Sequence, residues 1–384
     1  MKKVLLIHNK YILKGGEDTN FEEEIELLKK KYIVDYLIYQ NTEKINLFDI
    51  LSFFIKSNFK SNKILKKKLN EFKPDIVYVH NTWFKANLGI FKVLKKYEVK
   101  TIIKIHNLRY ECSRYWLMKN HLKTKSICYA CSKLNSKKTI FNKYYDESFA
   151  KSFILILYSK KFIKLLKNQE IKIFVINKFH KEKLINSGVQ ENKISIFYNP
   201  LSLESTMYKY NADSNFILYA GRITKSKGVE ELVTLWKKMN FQNLKLKIIG
   251  DGDQYKYLKS KFESNEVEFL GELDLEDTIN LISNSRAVVT CTKMYEGQPR
   301  LLSEASICSV PSIYPSFGGM DEFFPDNYEL KFEQFNYKSL ESKLHFLQDQ
   351  DYLLKISNEV RKHLKNLLNP NYLLAEFDKH IGRI

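Results

Sequence analysis

The chain has 384 residues, 44% of them apolar and 28% charged, a balance that excludes a disordered or fibrous protein. That length exceeds what a single hydrophobic core fills, so two domains are expected. Lys plus Arg number 63 against 44 for Asp plus Glu, and the net charge of +19 favours polyanions or an anionic membrane face without choosing between them.

From the N-terminus, Val4-Leu5-Leu6-Ile7 reads as a buried first strand, and the apolar stretch is too short for a signal peptide. Further short β-rich runs follow at Ile33–Tyr39, Ile76–Val79, Ile102–Ile105, Ile173–Ile176 and Ile194–Tyr198, with helical spacing between them. Such alternation predicts a parallel sheet with crossover helices, and near-continuous apolar strands predict cover on both faces. Between the second and third runs, Leu47, Ile50, Leu51, Phe54 and Ile55 precede Lys63, Lys66, Lys67 and Lys68. Two readings stay open there: a basic amphipathic helix on an anionic membrane, and an ordinary helix with one buried stripe and a solvated Lys face.

After His106 comes a basic loop holding Cys112, Cys128 and Cys131, with His121 nearby. Cys-x2-Cys with a third Cys is a candidate structural zinc site, and free thiols or loop packing is the other reading. Five cysteines without a secretory signal argue for a reducing compartment, hence the cytoplasm. The longest purely apolar run, Phe153–Leu157, is far below the roughly 20 residues needed to span a bilayer, so a cytoplasmic protein is expected, with peripheral placement on the inner face of the membrane as the further option.

Tyr198-Asn199-Pro200 breaks the pattern, and a second α/β domain is expected from residue 201. Its strands are Phe216–Tyr219, Leu246–Ile249, Val267–Leu270, Ala287–Thr290 and Pro311–Tyr314. Val229, Leu232, Val233, Leu235 and Trp236 repeat at helical spacing and are expected in its core. The boundaries are then 1–200, 201–368 and a terminal helix 369–384. That helix either crosses back to the first domain or packs on its own.

Chemistry gathers at strand ends. Gly221-Arg222, followed by Lys227-Gly228, puts cations and glycines at a strand-to-helix turn, which suits a diphosphate. Gly250-Asp251-Gly252 ends the next strand but lacks the third glycine of a dinucleotide fingerprint, because Tyr255 stands there; Gly250 is either a tight turn or the border of a nucleotide base. In Glu296-Gly297-Gln298-Pro299-Arg300-Leu301-Leu302-Ser303-Glu304, Pro299 suits a first helical turn, so both carboxylates can reach the crevice and accept bonds from paired hydroxyls.

With these motifs in this order, the whole chain resembles a retaining glycosyltransferase of the large family 4 type. The resemblance rests on Gly15-Gly16-Glu17-Asp18, Gly221-Arg222 with Lys227-Gly228, the Glu-x7-Glu pair Glu296 and Glu304, and Gly318-Gly319. It implies the GT-B architecture, two doubly wound Rossmann-like α/β domains facing across a cleft. It further implies that Arg222 and Lys227 hold the donor diphosphate, Glu304 the ribose, and Glu296 the transferred sugar. Gly15 and Gly16 would let a loop close over the donor, and His106, at a strand end, would lie near its sugar. Gly221, Gly250, Gly297, Gln298, Pro299 and Leu301 complete the expected donor-binding set, although Gln298 replaces the family's aromatic or small apolar residue. The resemblance implies transfer without a metal ion, from a UDP-sugar in preference to a GDP-sugar. The implied acceptor is a glycan or polyprenyl-diphosphate-linked glycan in capsule, O-antigen or exopolysaccharide assembly. Two rivals are a nucleotide-sugar epimerase of the same fold and a basic nucleic-acid-binding protein. No groove-reading module supports the second, and no nucleic acid is expected as a partner.

Overall fold

The computed structural model describes residues 1–10, 15–41, 52, 55, 57–83, 85–108, 148–168, 170–202 and 209–382. The chain divides into two units: Met1–Pro200 with Leu368–Ile384, and Leu201–Leu367. Each unit has its own six-stranded sheet, and every pair of neighbouring strands runs parallel.

In the first unit the strands are β1 (Lys3–Lys10), β2 (Ile33–Gln40), β3 (Ile76–Val79), β4 (Lys100–Ile105), β5 (Ile171–Val175) and β6 (Ile194–Ile196), in the order β2-β1-β3-β4-β5-β6. Val4, Leu5, Leu6 and Ile7 are all fully buried, as a strand covered on both faces requires. Its helices are α1 (Gly16–Lys29), α2 (Phe59–Phe72), α3 (Ile90–Lys96), α4 (Phe149–Leu166) and α5 (Lys178–Asn186). Asn58 caps α2 by accepting from the Ser61 amide at 3.2 Å, and Ser61, Leu65 and Leu69 form one buried stripe at a spacing of four. Lys60, Lys63, Lys66 and Lys67 lie on the solvated side. Leu47, Ile50, Leu51 and Phe54 of the amphipathic reading lie outside the described residues, and Ile55 is exposed.

The second unit holds β7 (Phe216–Ala220), β8 (Lys245–Ile249), β9 (Val267–Gly271), β10 (Val288–Val289), β11 (Ser312–Ser316) and β12 (Lys331–Glu333), in the order β12-β11-β10-β7-β8-β9. Sequence periodicity misses β12 because this edge strand is only Lys-Phe-Glu, with a single buried residue. The helices are α6 (Val229–Met239), α7 (Tyr255–Phe262), α8 (Leu275–Ser283), α9 (Arg300–Ile307), α10 (Tyr337–His345) and α11 (Gln350–Leu367). Val229, Leu232, Val233, Leu235 and Trp236 of α6 are buried in its core. Strand order reverses between β1 and β3 in the first sheet and between β7 and β10 in the second, and such reversals open the crevices where doubly wound sheets bind ligands.

The last helix, α12 (Pro370–Ile381), belongs to the first unit. Asn369 caps it through bonds from the Asn371 and Tyr372 amides, at 2.9 and 3.2 Å. Leu373, Leu374, Phe377 and Ile381 form its buried face. The Phe377 ring lies 5.5–5.8 Å from those of Tyr32, Tyr78, Phe174 and Phe197, and Asp378 accepts from Lys31 and the Tyr32 hydroxyl. On α5, the buried His180 faces the backbone carbonyl of Ile105.

Phe377→Ala is expected to destabilise the first unit by about 3–5 kcal/mol, because the aromatic cluster cannot collapse into the space left. Urea unfolding measures this, and a loss below about 1 kcal/mol would mean the helix is not docked as described. Burial holds the His180 imidazole down to about 4 from 6.5, with the Ile105 carbonyl working in the opposite direction. The native state therefore binds fewer protons than the unfolded chain between these pH values, so stability is full above about 6.5 and falls as pH drops towards 4. His180→Gln should make that acid slope shallower by about one proton, removing about 3 kcal/mol of pH dependence. An unchanged slope in acid titrations of the variant would refute the assignment.

Candidate active site

In the second unit, β7 ends in the Gly221-Arg222 loop. The Gly221 amide donates to Ile249 O at 3.0 Å and the Ile223 amide to Asp251 O at 2.8 Å, so this loop is braced along its length by the one after β8. Gly250 carries positive φ, and a Cβ there would run into the Gly221 carbonyl, so its glycine is explained by close backbone packing. Gly228 opens α6 at φ 70°, and a Cβ there would strike the Cys291 carbonyl just beyond β10. The Lys293 amide bonds Ser226 O at 2.9 Å. These contacts seat the Lys227 loop directly on the end of β10.

The result is an ion pair: Lys227 Nζ donates to Glu296 Oε1 at 2.5 Å, and the Thr292 hydroxyl donates to the same oxygen at 3.1 Å. Behind it, the Gly319 amide bonds Glu296 O at 3.3 Å, and Gly318 lies against that carbonyl. The Tyr295 and Phe317 rings stack at 4.1 Å beside this contact. Arg222 is exposed. The Tyr219 hydroxyl donates to Arg222 O at 3.0 Å, and its acidity is weakened first by burial, then by the negative charge of Glu296, with Arg222 opposing. The charges of both Arg222 and Glu296 are therefore felt at one buried hydroxyl.

Glu304 lies on α9, which leaves the Glu296 loop. It is buried, and Arg300 Nε donates to its Oε1 at 2.6 Å. Pro299 occupies the cap of α9 rather than its first turn, while Gly297, Gln298 and Leu301 are half-buried along the same segment. The structure thus brings Gly221, Arg222, Lys227, Gly250, Glu296 and the Gly318-Gly319 pair together, with Glu304 one helix turn beyond the loop. Sequence reasoning assigned Lys227 and Glu296 to different parts of a ligand and did not foresee their direct pairing. It also passed over Asp251-Gly252-Asp253 after β8, whose carboxylates are exposed; Asp251 Oδ1 accepts from the Gly252 amide at 2.7 Å.

The first unit gathers a second cluster. Gly15 caps α1, and Asp18 Oδ2 accepts its amide at 2.9 Å while Oδ1 contacts His8 Nε2 at 2.7 Å. Burial alone would raise the Asp18 carboxyl, but the bonds from His8 and Gly15 outweigh it and hold the group below its ordinary range. Glu17 Oε1 accepts from Asn107 Nδ2 at 2.8 Å, joining the Gly15-Gly16 turn to the residue after His106. His106 is half-buried on a recess lined also by Glu17, Asn81, Trp83 and Tyr158. Its Nε2 lies 3.1 Å from His80 Nδ1, with the rings near parallel. Burial, then the positive charges around them, Lys104 among these, keep both imidazoles well below the ordinary histidine range, hence neutral. Beneath them Glu24 and Lys104 form a fully buried ion pair. Sequence reasoning missed His8, His80, Glu24 and Lys104. The available signal was a charged residue inside the apolar run Ile102-Ile103-Lys104-Ile105. Cys112, Cys128 and Cys131 lie outside the described residues.

Residues 206–363 match the family model described as Glycosyl transferases group 1. The chain is 29% identical over 148 residues to the amylovoran biosynthesis glycosyltransferase AmsD of Erwinia amylovora, covering 37% of this chain and 42% of that protein. The match therefore spans less than half of that relative. Among solved structures, Anabaena HepE in complex with UDP and glucose superposes with a TM-score of 0.70 at 12% identity, covering 100% of both chains. The apo form of the lipopolysaccharide outer core galactosyltransferase WaaB gives 0.63 at 17% identity, covering 99% of each. Two parallel six-stranded sheets and these superpositions show the GT-B fold, and residues 206–363, within its second unit, are similar to the group 1 glycosyl transferases.

Proposed function

We propose that this protein is a glycosyltransferase, moving a sugar from a nucleoside-diphosphate donor to a glycan or lipid-linked glycan acceptor, with retention of configuration and without a metal cofactor. UDP is preferred to GDP, and the product enters surface polysaccharide such as capsule, O-antigen or exopolysaccharide. The observation that carries this reading is the Lys227–Glu296 pair at the strand-order reversal of the second unit, braced by the Gly221 and Gly318-Gly319 loops. The names of AmsD and WaaB support the polysaccharide context, and the complex of HepE supports UDP. Retention rests on the resemblance of the sequence motifs.

In this reading Arg222 grips the diphosphate bidentately and Lys227 adds a second positive charge. As the glycosidic C–O bond lengthens, negative charge grows on the departing β-phosphate, and cations already held in place lower the barrier. Glu296 accepts from hydroxyls of the transferred sugar, and Glu304, oriented by Arg300, from those of the ribose. Gly15, Gly16 and His106 are assigned to the donor sugar on the resemblance of the sequence motifs alone. The solvated lysines of α2 support peripheral contact with anionic lipid.

The direct test is incubation with UDP- and GDP-sugars and a lipid-linked acceptor, scoring glycosylated product and released nucleoside diphosphate. A donor altered without any acceptor would establish an epimerase instead, and salt-sensitive DNA binding without nucleotide-sugar binding would establish the basic-protein rival. UDP at about 100 times its Kd should stabilise the native protein by roughly 2.7 kcal/mol, visible as a rise in melting temperature. Arg222→Ala and Glu304→Ala should each remove that rise, and a full rise in both would move the donor site elsewhere. Lys227→Met should lower kcat by about 10²–10³ while the variant remains folded, and near-normal turnover would remove Lys227 from leaving-group stabilisation.

A further inference from the structure

The buried charges under His106 form a directed chain. Glu24 Oε1 is committed to Lys104 Nζ, and both side chains are wholly inaccessible. The other oxygen, Oε2, has no hydrogen-bond partner among the described residues and lies 3.7 Å from His80 Nε2, itself buried and unpartnered. The opposite nitrogen of that ring, Nδ1, is 3.1 Å from His106 Nε2. His106 Nδ1, at the far end, is buried without a partner among the described residues.

A neutral imidazole carries one N–H, so one choice along this chain fixes all the others. Next to a carboxylate oxygen an N–H is favoured over a lone pair, so the His80 proton belongs on Nε2. His80 Nδ1 can then only accept, and His106 Nε2 must donate to it. We propose that Glu24 and Lys104 are positioning residues which, through His80, hold His106 as the Nε2–H tautomer and leave its Nδ1 as a hydrogen-bond acceptor. The catalytic consequence rests on the glycosyl-transfer reading above; the tautomer does not.

The surroundings favour neutral rings. The groups facing the pair are His8 from β1, Tyr78 beside His80 on β3, Lys104 from β4, Glu24 from α1 and His180 from α5. Burial acts first, and the positive charge of Lys104 next among the fixed charges, to keep a proton off both imidazoles. Burial pushes the Glu24 carboxyl up, and the charge of Lys104 opposes that rise. Without Lys104, Glu24 would be driven towards its neutral form, and a neutral carboxyl could donate to His80 Nε2 and reverse the chain.

The test uses the full-length protein with 15N-labelled histidine. Ring-nitrogen NMR shifts distinguish protonated from bare nitrogens, and the spectrum of His106→Gln assigns the His106 signals. The wild type should show His106 with a protonated Nε2 and a bare Nδ1 at neutral pH. A protonated Nδ1 overturns the proposal whether or not any variant folds. The double variant Glu24→Gln/Lys104→Met removes both charges together and avoids stranding either one in the interior. It should shift His106 to the other tautomer or to a mixture. With a UDP-sugar donor it should lower kcat by about tenfold or more, as expected for a catalytic imidazole in the wrong tautomer, with KM for the donor little changed. His80→Phe, which keeps an aromatic ring but offers no acceptor, should give the same kinetic split. An unchanged tautomer in the folded double variant sinks the relay. If the wild type transfers no sugar, the proposed function fails while the NMR result still decides the tautomer.

Discussion

A parallel strand sends the chain out at the same edge of the sheet as its neighbours do. That constraint sets which residues of this protein can meet. Lys227 and Glu296 are 69 positions apart, yet they pair because β7 and β10 are adjacent and both end at that edge. The same rule assembles the histidines of the first unit, where β1, β3 and β4 lie side by side. Ile7 pairs with Val79, so His8 and His80 follow at one level; Val79 pairs with Ile103, so Lys104 arrives level with His80. His106 comes two residues later, beyond the last residue of β4, where its ring can meet both His80 and the recess.

Close packing turns this convergence into defined geometry. Gly228 permits the Lys227 turn to sit on the Cys291 carbonyl, and the Gly318-Gly319 pair permits a second loop to sit on the Glu296 carbonyl. Glu296 is thereby held from two sides through its backbone while its carboxylate stays turned to Lys227 and Thr292. The buried Glu24–Lys104 pair works on different terms. Withdrawing two charges from water costs several kcal/mol per ion, and their attraction recovers this only when the geometry is good. Such a pair adds little stability, but it imposes a strong local field on the His80 ring beside it.

Much of this was legible in the sequence where burial is continuous. Val4–Ile7 marked β1, Ile76–Val79 marked β3 to the residue, and the spacing of Val229 to Trp236 marked the buried face of α6. β12 was invisible because an edge strand of three residues needs only one buried side chain. Glu296 and Glu304 stood out because their loop begins at a strand end and continues into a helix. The buried network did not, since Glu24 lies among Glu22, Glu23 and Glu26 and only the phase of α1 distinguishes it. Lys104 was read as part of an apolar run, and no local pattern says that its partner comes from a helix 80 positions earlier. Pairing of charges across a sheet depends on strand order, which periodicity does not encode.

The charge balance of the second unit's site separates the roles of its cations. The charge of Lys227 is compensated by Glu296, that of Lys293 by Glu231, and the Arg300–Glu304 pair is likewise internally balanced. Arg222 is exposed at the end of β7, and no ion pair compensates it among the described residues. A diphosphate approaching this edge therefore meets Arg222 as an unspent positive charge, whereas Lys227 must exchange one anionic partner for another. Exchange of partners costs little net Coulomb energy and holds the ammonium at a fixed point throughout. In the proposed reading, Arg222 is accordingly the group that would set affinity for the diphosphate. In that same reading Lys227 would serve charge that appears late, on the leaving oxygen, because its gain comes from being in place before that charge develops.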